Sequence, residues 1–314
     1  KGIHLFDDRK IPVINIVVDH PFYYHKFLPF LPKDYCQISI DREHEAYLQY
    51  YFPEIKRGLF LPLAGTSLWE EDTLPKWEER PYDVVFTGNY TPLSKFEPTI
   101  ERHGKEYADF YYGIIEDFKK HPHLGMDIGI REHLLSEVED ITEDGVKEMM
   151  PNMIMIDLYV RNYFRGKVVQ TLVDAGVSVH CFGAGWEFLP CEHPENLIKE
   201  GGVDSLACLQ ALSKAKVSLN VMPWFKDGAH DRIFTAMLNK AVSLTDDSIY
   251  LKERFCDGKD LAFYELEHLD ALPEQVLSML GHPKKMKEII EYSYERALKE
   301  DTWANRAERL REFL

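Results

Sequence analysis

The sequence is poor in the features that mark several common protein classes. It has only five cysteines, and no two of them show the CxxC spacing of a zinc or redox site. No apolar run approaches the ~20 residues that a membrane-spanning helix needs, and no signal peptide is visible. Internal repeats and low-complexity tracts are missing as well. These absences favour a globular protein with reduced thiols, for which we predict a cytoplasmic location and no transmembrane segment.

Positive charge is also scarce, because 37 lysines and arginines face 53 aspartates and glutamates and the formal charge is −16. Such a protein is repelled by nucleic acid and by anionic lipid surfaces. We therefore expect no nucleic acid partner. A small anionic ligand stays compatible with this charge, since one local basic site can hold it. The composition, 45% hydrophobic and 29% charged, is that of a globular protein with a sizeable core.

Strands and helices alternate along most of the chain. The apolar, β-branched run at 11–18 predicts a buried parallel strand, and apolar segments at 36–40, 58–64 and 82–90 continue a β-α rhythm. The alternation continues between residues 155 and 270. We therefore predict an α/β protein with two Rossmann-like, doubly wound domains that face each other across a cleft.

The predicted domains are unequal in completeness. Residues 1–77 form a partial amino-terminal domain, and residues 78–314 form a carboxyl-terminal domain with a helical insertion at about 94–150. Only about half of a typical Rossmann domain precedes residue 75, and the chain begins with Lys1 rather than Met. We therefore expect the amino-terminal domain to be truncated.

Ligands of open α/β sheets bind beyond the carboxyl ends of the strands, so the loops at these ends are the candidate site. In the second domain they carry small or polar residues, and in the first domain Asp19 and His20 follow the first strand and are expected to face the cleft. The loops of the second domain are Gly88-Asn89-Tyr90, Gly183-Ala184-Gly185-Trp186, Pro223–Arg232 and Thr245-Asp246-Asp247.

The loop PWFKDGAHDR at 223–232 is the most informative of these segments. It places Gly228, His230 and Arg232 at the entrance to a helix, whose free N–H groups and partial positive charge suit a phosphate. Arg232 can add a bidentate contact to a diphosphate, and Lys226 a second positive charge. The alternative is that an aspartate of the loop caps the helix and Arg232 pairs with an acid.

Two other patterns argue against common cofactors. The segment FGAGWE at 182–187 contains GxG after a strand but lacks the third glycine of a dinucleotide fingerprint. It predicts instead a turn whose Trp186 packs on a nucleoside or on a neighbouring loop. His121 and His123 are not completed by a Cys or carboxylate set, so they do not form a metal site.

The stretch KVSLNVMPWFKDGAHDRIFTAMLNKAVSLTDD at 216–247 resembles the carboxyl-terminal domain of the group 1 (GT4-like) glycosyltransferases, in particular the branch that includes the spore maturation protein CgeB. The matching features are a strand that ends in Asn220, the His230-x-Arg232 loop, a helix, and a strand with a polar end. The segments DLYVRNYFRGKVVQTLVDAGVSVHCFGAGW and DTWANRAERL resemble the preceding unit and the closing helix of the same family. Residues 155–314 carry most of the resemblance.

This resemblance implies a GT-B fold, a nucleotide sugar bound by the second domain, an acceptor bound by the first, retention of the anomeric configuration, and neither metal nor other cofactor. Many members carry an E-x7-E motif near the donor, and its two positions correspond here to Asp227 and Thr235. The second carboxylate is thus absent, and Asn239-Lys240 replaces a common Cys-Gly. These departures concern the sugar and ribose contacts.

The predicted site divides into three groups. Asp19, His20 and Asp227 are the candidate catalytic residues, the first two of them on the acceptor side. Arg232, His230, Lys226 and Gly228 are assigned to the diphosphate. The remaining donor-site residues are Gly183, Gly185 and Trp186 for the nucleoside, Thr235 together with Asp227 for sugar or ribose, and Gly88 and Asn89 for the cleft wall.

The sequence thus predicts a hexosyltransferase-type glycosyltransferase that moves a sugar from a nucleoside diphosphate to a carbohydrate, glycoconjugate or protein acceptor. Two alternatives stay open. A nucleotide-sugar epimerase would use the same phosphate site but needs acid and base groups in the cleft. A binding or sensing module would keep the fold without turnover, and the missing second glutamate supports it.

Overall fold

The computed structural model describes residues 3–314. Its strands are mostly β-branched and apolar runs, as parallel strands covered by helices require. In chain order they are β1 (Val13–Val17), β2 (Tyr35–Ser39), β3 (Lys56–Phe60), β4 (Tyr82–Thr87), β5 (Val179–Phe182), β6 (Leu197–Gly201), β7 (Ala215–Asn220), β8 (Val242–Asp246) and β9 (Ala262–Tyr264).

Helices fill most of the remaining chain. Several begin at a side-chain cap, for example Asp41, whose carboxylate accepts from Glu43 N. The helices are α1 (Ile3–Arg9), α2 (Arg42–Tyr51), α3 (Glu97–Glu101), α4 (Lys105–Lys120), α5 (Met126–Glu137), α6 (Glu143–Met149), α7 (Ile154–Asp174), α8 (Ser205–Ser213), α9 (Asp231–Leu238), α10 (Ile249–Arg254), α11 (Leu272–Gly281), α12 (Pro283–Glu300) and α13 (Trp303–Phe313).

The first sheet is small and parallel, with strand order β1-β2-β3. The prediction of a buried first strand is wrong for much of β1, because Ile14 and Ile16 are 39% and 37% exposed. β1 lies at the edge of this sheet, so its apolar side chains have no neighbouring strand on one side. The central strand β2 is buried along its whole length.

The second sheet has the order β6-β5-β4-β7-β8-β9, and all its strands are parallel. This is the doubly wound order: the chain runs outward from β4 to β6 and then returns to β7, on the other side of β4. The switch point is the position in the sheet between the neighbouring strands β4 and β7. The crevice at this switch point is where such sheets bind ligands. β6 was not predicted, because LIKEG is a short, polar edge strand with only Leu197 buried.

Helix α4 packs against the long helix α7, α3 and α5 pack on α4, and α6 packs on α5. This group of helices also contacts α2, which follows β2 of the first sheet. Glu143 of α6 accepts a hydrogen bond from Tyr50 of α2 at 2.8 Å, and Arg131 of α5 lies 3.1 Å from both. The predicted helical character of this region is therefore observed. The division into domains at residue 77 stays a prediction, although the two sheets lie on either side of it.

The end of the chain returns to the first sheet. Arg306 of α13 is only 4% exposed and donates to the backbone oxygen of Pro62 at 2.6 Å. Asp301, fully buried, accepts from Arg306 and Arg254 at 2.8 Å. A bridge between Gly65 and Thr302 adds backbone contact. These contacts fix the segment after β3 against the second sheet and so set the cleft between the sheets.

Candidate functional site

A cavity of about 240 Å³ lies between the two sheets, at the switch point of the second one. Both sheets and helix α7 contribute to its wall. Its lining combines three arginines and three histidines with an apolar floor: Val18, Asp19, His20, His44, Leu63, Asp157, Arg161, Arg165, Val221, Met222, Pro223, Trp224, Phe225, His230 and Arg232. Four of the predicted site residues, Asp19, His20, His230 and Arg232, therefore meet here.

Arg232 is held at the amino end of α9. The imidazole of His230 is the cap of this helix and accepts from Arg232 N at 3.3 Å, so neither Asp227 nor Asp231 caps it. The Arg232 guanidinium donates to Thr87 O at 2.8 Å, at the end of β4. Burial, and next the charge of Arg232, lower the pKa of His230 to about 4. The imidazole is therefore neutral near pH 7.

Arg165 of α7 points to the same place from the other side. It donates to Asn89 O at 3.1 Å, and its buried Nε has no hydrogen-bond partner within the described residues. Burial, followed by the charges of Arg232 and Arg161, lowers the pKa of Arg165 to about 9. In the described part of the chain, neither Arg165 nor Arg232 forms a salt bridge. The two guanidinium groups thus meet without a carboxylate in direct contact, although Asp231 and Asp157 lie near enough to act on them electrostatically.

Arg161, one turn earlier on α7, has a different environment. Its Nη2 lies 2.9 Å from both carboxylate oxygens of Asp157, and the same nitrogen donates to Tyr23 OH at 2.8 Å. Asp157 is fully buried, and burial raises its pKa to about 6. The charge of Arg161 is therefore matched within the protein.

His20 lies across the cavity, just after β1. Its Nδ1 accepts a hydrogen bond from Phe22 N at 3.1 Å, which leaves the ring proton on Nε2. Nε2 is buried and has no hydrogen-bond partner among residues 3–314. Burial lowers the pKa of His20 well below its usual value. The carboxylate of Asp19, beside it, accepts a hydrogen bond from the Tyr24 hydroxyl at 3.3 Å.

The predicted nucleoside turn is packed against the end of β4. Trp186 is 1% exposed, donates from Nε1 to Gly88 O at 2.8 Å and stacks on Tyr90. Gly185 has φ +92°, and a Cβ there would overlap Tyr90 O. Gly183 approaches Gly88 O in the same way. Of the two interpretations of Trp186, packing on a neighbouring loop is the one observed.

Gly88 and Asn89 connect this turn to the cavity. Gly88 lies beside the guanidinium of Arg232, whose Nη1 would be 3.5 Å from a Cβ at that position. The Asn89 side chain accepts from Ala184 N at 2.9 Å, while its backbone oxygen accepts from Arg165. Asn89 therefore orients one of the two arginines.

Lys226 is directed away from Arg232. Its Nζ donates to Pro122 O and lines a second cavity of about 530 Å³ together with Glu43 and Asp246. Burial lowers the pKa of Lys226 to about 8 and raises that of Asp246 to about 7. The structure therefore separates Lys226 from the two arginines, because the loop turns over between residues 226 and 230.

Asp227, Gly228 and Thr235 lie at contacts with the first sheet and the segment after it. Asp227 pairs with Arg42 at 2.9 Å, and Gly228 forms a bridge with Asp41. The Thr235 hydroxyl accepts from Thr66 N at 3.2 Å. None of the three lines the 240 Å³ cavity.

Sequence reasoning missed Asp157, Arg161, Arg165 and His44. The first three recur every fourth residue in DLYVRNYFR, which places them on one face of α7. Polar residues at this spacing on a helix with a largely buried surface were the available signal. No sequence signal indicated His44, since only the fold brings α2 to the cavity.

Apart from the cavity beside Lys226, a third cavity lies away from the two sheets' cleft. A cavity of about 850 Å³ lies against α12 and the connector before β4, and none of the predicted site residues line it. Among residues 3–314, no three His, Cys, Asp or Glu side chains converge to hold a metal ion. No described helix is long and apolar enough to span a bilayer.

Comparison with known proteins places these elements in a family context. Residues 165–312 match the family described as "Glycosyl transferase-like". The comparison with curated proteins gives no match.

Solved structures provide a further comparison. A mutant of S. aureus TarM in complex with Fondaparinux, alpha-GlcNAc-glycerol and UDP shares 13% identity, with a TM-score of 0.50 over 96% of this chain and 55% of that one. Sucrose-phosphate synthase from Thermosynechococcus elongatus shares 11% sequence identity, with a TM-score of 0.47, and the match covers 95% of this chain and 66% of that one. Anabaena HepE in complex with UDP-glucose shares 9% sequence identity, with a TM-score of 0.42, and the match covers 96% of this chain and 98% of that one.

The chain spans 57%, 66% and 55% of the lengths of the first three structures it matches. The likeness to TarM is a likeness of fold, and together with the parallel, doubly wound second sheet it confirms the predicted GT-B class. The chain thus has the GT-B fold, and its carboxyl-terminal part, residues 165–312, matches a glycosyl transferase-like family.

Proposed function

We propose that this chain is a glycosyltransferase that binds a nucleoside-diphosphate sugar in the 240 Å³ cavity and transfers the sugar to an acceptor hydroxyl. The observation that carries the proposal is the pair Arg165 and Arg232. Two guanidinium groups without carboxylate partners meet at the amino end of α9, where the helix adds its own partial positive charge. A diphosphate supplies the anionic groups that this arrangement lacks.

The same two arginines support catalysis of the transfer. The bond between the anomeric carbon and the diphosphate oxygen breaks, a bond forms to the acceptor oxygen, and the acceptor proton passes to the leaving phosphate. Negative charge grows on the diphosphate as it leaves, and prearranged guanidinium groups stabilise it. We infer retention of configuration, transfer of a hexose and independence of metal ions from the resemblance to the group 1 enzymes.

The likeness to TarM guides the choice of donor. Because that structure contains UDP, uridine diphosphate sugars are the first donors to test. Arg232→Ala and Arg165→Ala remove the two charges. Arg311→Ala is the matched control, since its side chain is 76% exposed, pairs with Glu308 at the surface and does not line the cavity.

The experiment is a thermal-shift screen with UDP, GDP, their common sugar conjugates and NAD. A ligand at ~100 times its dissociation constant stabilises the folded protein by about 2.7 kcal/mol. We expect one nucleoside diphosphate to stabilise the wild type and the control, and both cavity variants to lose most of the shift. If no nucleotide binds, or if Arg165→Ala and Arg232→Ala bind as well as the control, the assignment of the cavity is wrong.

Product analysis then separates the activities. A sugar on the acceptor indicates transfer, an isomerised donor indicates an epimerase, and an unchanged donor indicates a binding module. EDTA should leave the transfer rate unchanged, because in this proposal Arg165 and Arg232 neutralise the diphosphate without a metal ion.

A further inference from the structure

The cavity of about 530 Å³ beside Lys226 has no part in the proposed function. It lies beyond the carboxyl ends of β7, β8 and β9, the edge at which open α/β sheets bind ligands. Met222, Pro223 and Phe225 line both this cavity and the 240 Å³ cavity, so the two are neighbours. A ligand in the larger cavity therefore lies next to the proposed donor site.

Negative charge dominates the lining of the larger cavity. It contains five carboxylates and two lysines, a formal charge of −3: Glu43, Asp246, Asp247, Glu265, Glu267, Lys226 and Lys252. Asp247 pairs with Lys252, and Glu267 lies 2.9 Å from Nδ1 of His123. The side chain of Glu265 is 66% exposed, so solvent screens it. Glu43 and Asp246 are the two carboxylates that remain.

Glu43 and Asp246 keep oxygen atoms without a donor. No residue of the described chain donates a hydrogen bond to the carboxylate of Glu43. Asp246 is 3% exposed, and its Oδ1 accepts from Met222 N at 2.8 Å, but no other described residue donates to its second oxygen. Burial raises the pKa of both groups to about 7. Since an ionised carboxylate without a partner is costly to bury, both positions favour a ligand with donors and positive charge.

Lys226 does not supply that partner. Its Nζ donates to Pro122 O, and it acts on Glu43 and Asp246 through its charge without a hydrogen bond to either. Its single charge leaves the lining negative. Phe225 adds an aromatic ring to the wall, and the face of such a ring attracts a cation. The larger cavity thus favours a positive ligand, whereas its neighbour with Arg165 and Arg232 favours a negative one.

We propose that the 530 Å³ cavity is a second binding site, in which Glu43 and Asp246 hold the ammonium group of a small polar ligand. A primary amine is the class that fits, because its ammonium group carries one positive charge and three hydrogen-bond donors. A metal ion fits less well, since among residues 3–314 no three His, Cys, Asp or Glu side chains converge to hold one. The inference does not depend on the proposed function, because it makes no use of a ligand at the two arginines.

The test compares 6-amino-6-deoxyglucose with glucose, which has the same ring without the positive charge. Dissociation constants are measured by NMR titration at pH 8, where carboxyl groups with a pKa of about 7 are mostly ionised. Glu43→Gln and Asp246→Asn each remove one negative charge, and the asparagine oxygen can still accept from Met222 N. Glu45→Gln is the matched control, because Glu45 is a partly buried glutamate of the same helix that does not line the cavity.

We expect the wild type and Glu45→Gln to bind the amino sugar at least about tenfold more tightly than glucose, as hydrogen bonds between charged groups allow. Glu43→Gln and Asp246→Asn should each weaken the binding of the amino sugar about tenfold and leave that of glucose unchanged. Lys226→Met should instead tighten the binding of the amino sugar about three- to tenfold, because it removes a like charge. A gain of affinity cannot result from misfolding.

Equal affinity of the wild type for the two sugars would overturn the inference. Glu43→Gln and Asp246→Asn proteins that bind the amino sugar as tightly as Glu45→Gln does would overturn it as well. The thermal shift with UDP, measured on the same proteins, reports on the arginine cavity alone. Loss of that shift in the wild type would contradict the proposed function, whereas the comparison of the two sugars decides this inference.

Discussion

The guanidinium of Arg232 donates a 2.8 Å hydrogen bond to the backbone oxygen of Thr87, the last residue of β4. This contact joins the helix that follows β7 to the end of the neighbouring strand, across the switch point of the second sheet. Because the backbone fixes one arm of the guanidinium, the group keeps its direction before any ligand arrives. A prearranged cation loses little conformational entropy when an anion binds.

Arg232→Lys tests whether geometry matters in addition to charge. Lysine keeps the positive charge but lacks the planar fork that can contact Thr87 and a phosphate together. We expect nucleoside diphosphate affinity about 10–100-fold below that of the wild type, from the loss of charge-assisted hydrogen bonds. Calorimetric titration measures it. Wild-type affinity in the lysine variant would show that charge alone is sufficient.

Gly228→Ala tests the contact between the loop before α9 and the first sheet. A Cβ at Gly228 would lie 2.6 Å from Ile40 O and 2.7 Å from Asp41 Oδ2, both in a closely packed bridge. We expect a loss of about 1–3 kcal/mol in the free energy of unfolding, measured in urea.

The control for that variant is Gly113→Ala on α4, where an added Cβ has no neighbour within 4 Å. It should raise the unfolding free energy by up to about 1 kcal/mol, since alanine favours helix. If the two variants were equally stable, the bridge between Gly228 and Asp41 would tolerate an added methyl group, and the expected clash would be wrong.

Trp186→Phe distinguishes the structural role of this residue from a role in nucleoside selection. Phenylalanine can keep the stack on Tyr90 but cannot donate to Gly88 O. We expect the free energy of unfolding to fall by about 1–2 kcal/mol, while the ratio of UDP to GDP affinity stays as in the wild type. A changed ratio would return Trp186 to the nucleoside pocket.

Asp41 gives the protein a pH-dependent stability. Burial raises its pKa to about 7, whereas the same carboxyl in the unfolded chain ionises near pH ~4. Between these values the folded protein holds a proton that the unfolded chain has released, so stability falls as the pH rises. Glu43 and Asp246, whose pKa values burial also raises to about 7, act in the same direction.

Asp41→Asn should therefore flatten the fall in unfolding free energy between pH 5 and 7, by up to about 1.4 kcal/mol per pH unit. The amide oxygen can still cap α2, but the amide nitrogen cannot accept from Asp227 N as Oδ2 does, so a uniform loss of stability at all pH values is expected beside the change in slope. Urea unfolding at several pH values measures the slope. A slope equal to that of the wild type would show that Asp41 is ionised in the folded protein throughout this range.

The sequence predicted those parts of the molecule that depend on local patterns. Apolar, β-branched runs revealed most strands of the second sheet, and the His230-x-Arg232 loop revealed the entrance to α9. Two edge strands, β6 and β1, were not predicted correctly. β6 is too polar to be recognised, and β1 is apolar yet partly exposed, because a periodic pattern does not say which strand lies at an edge.

The position of each polar side chain was decided by tertiary structure. Lys226 and Arg232 are six residues apart in one loop, yet they face different cavities because the loop turns over at the bridge between Gly228 and Asp41. Arg165 reaches Arg232 only because α7 packs beside the end of β4. Sequence by itself determined which residue types were available and which elements carry them. Their convergence depends on packing between distant segments, which local propensity does not encode.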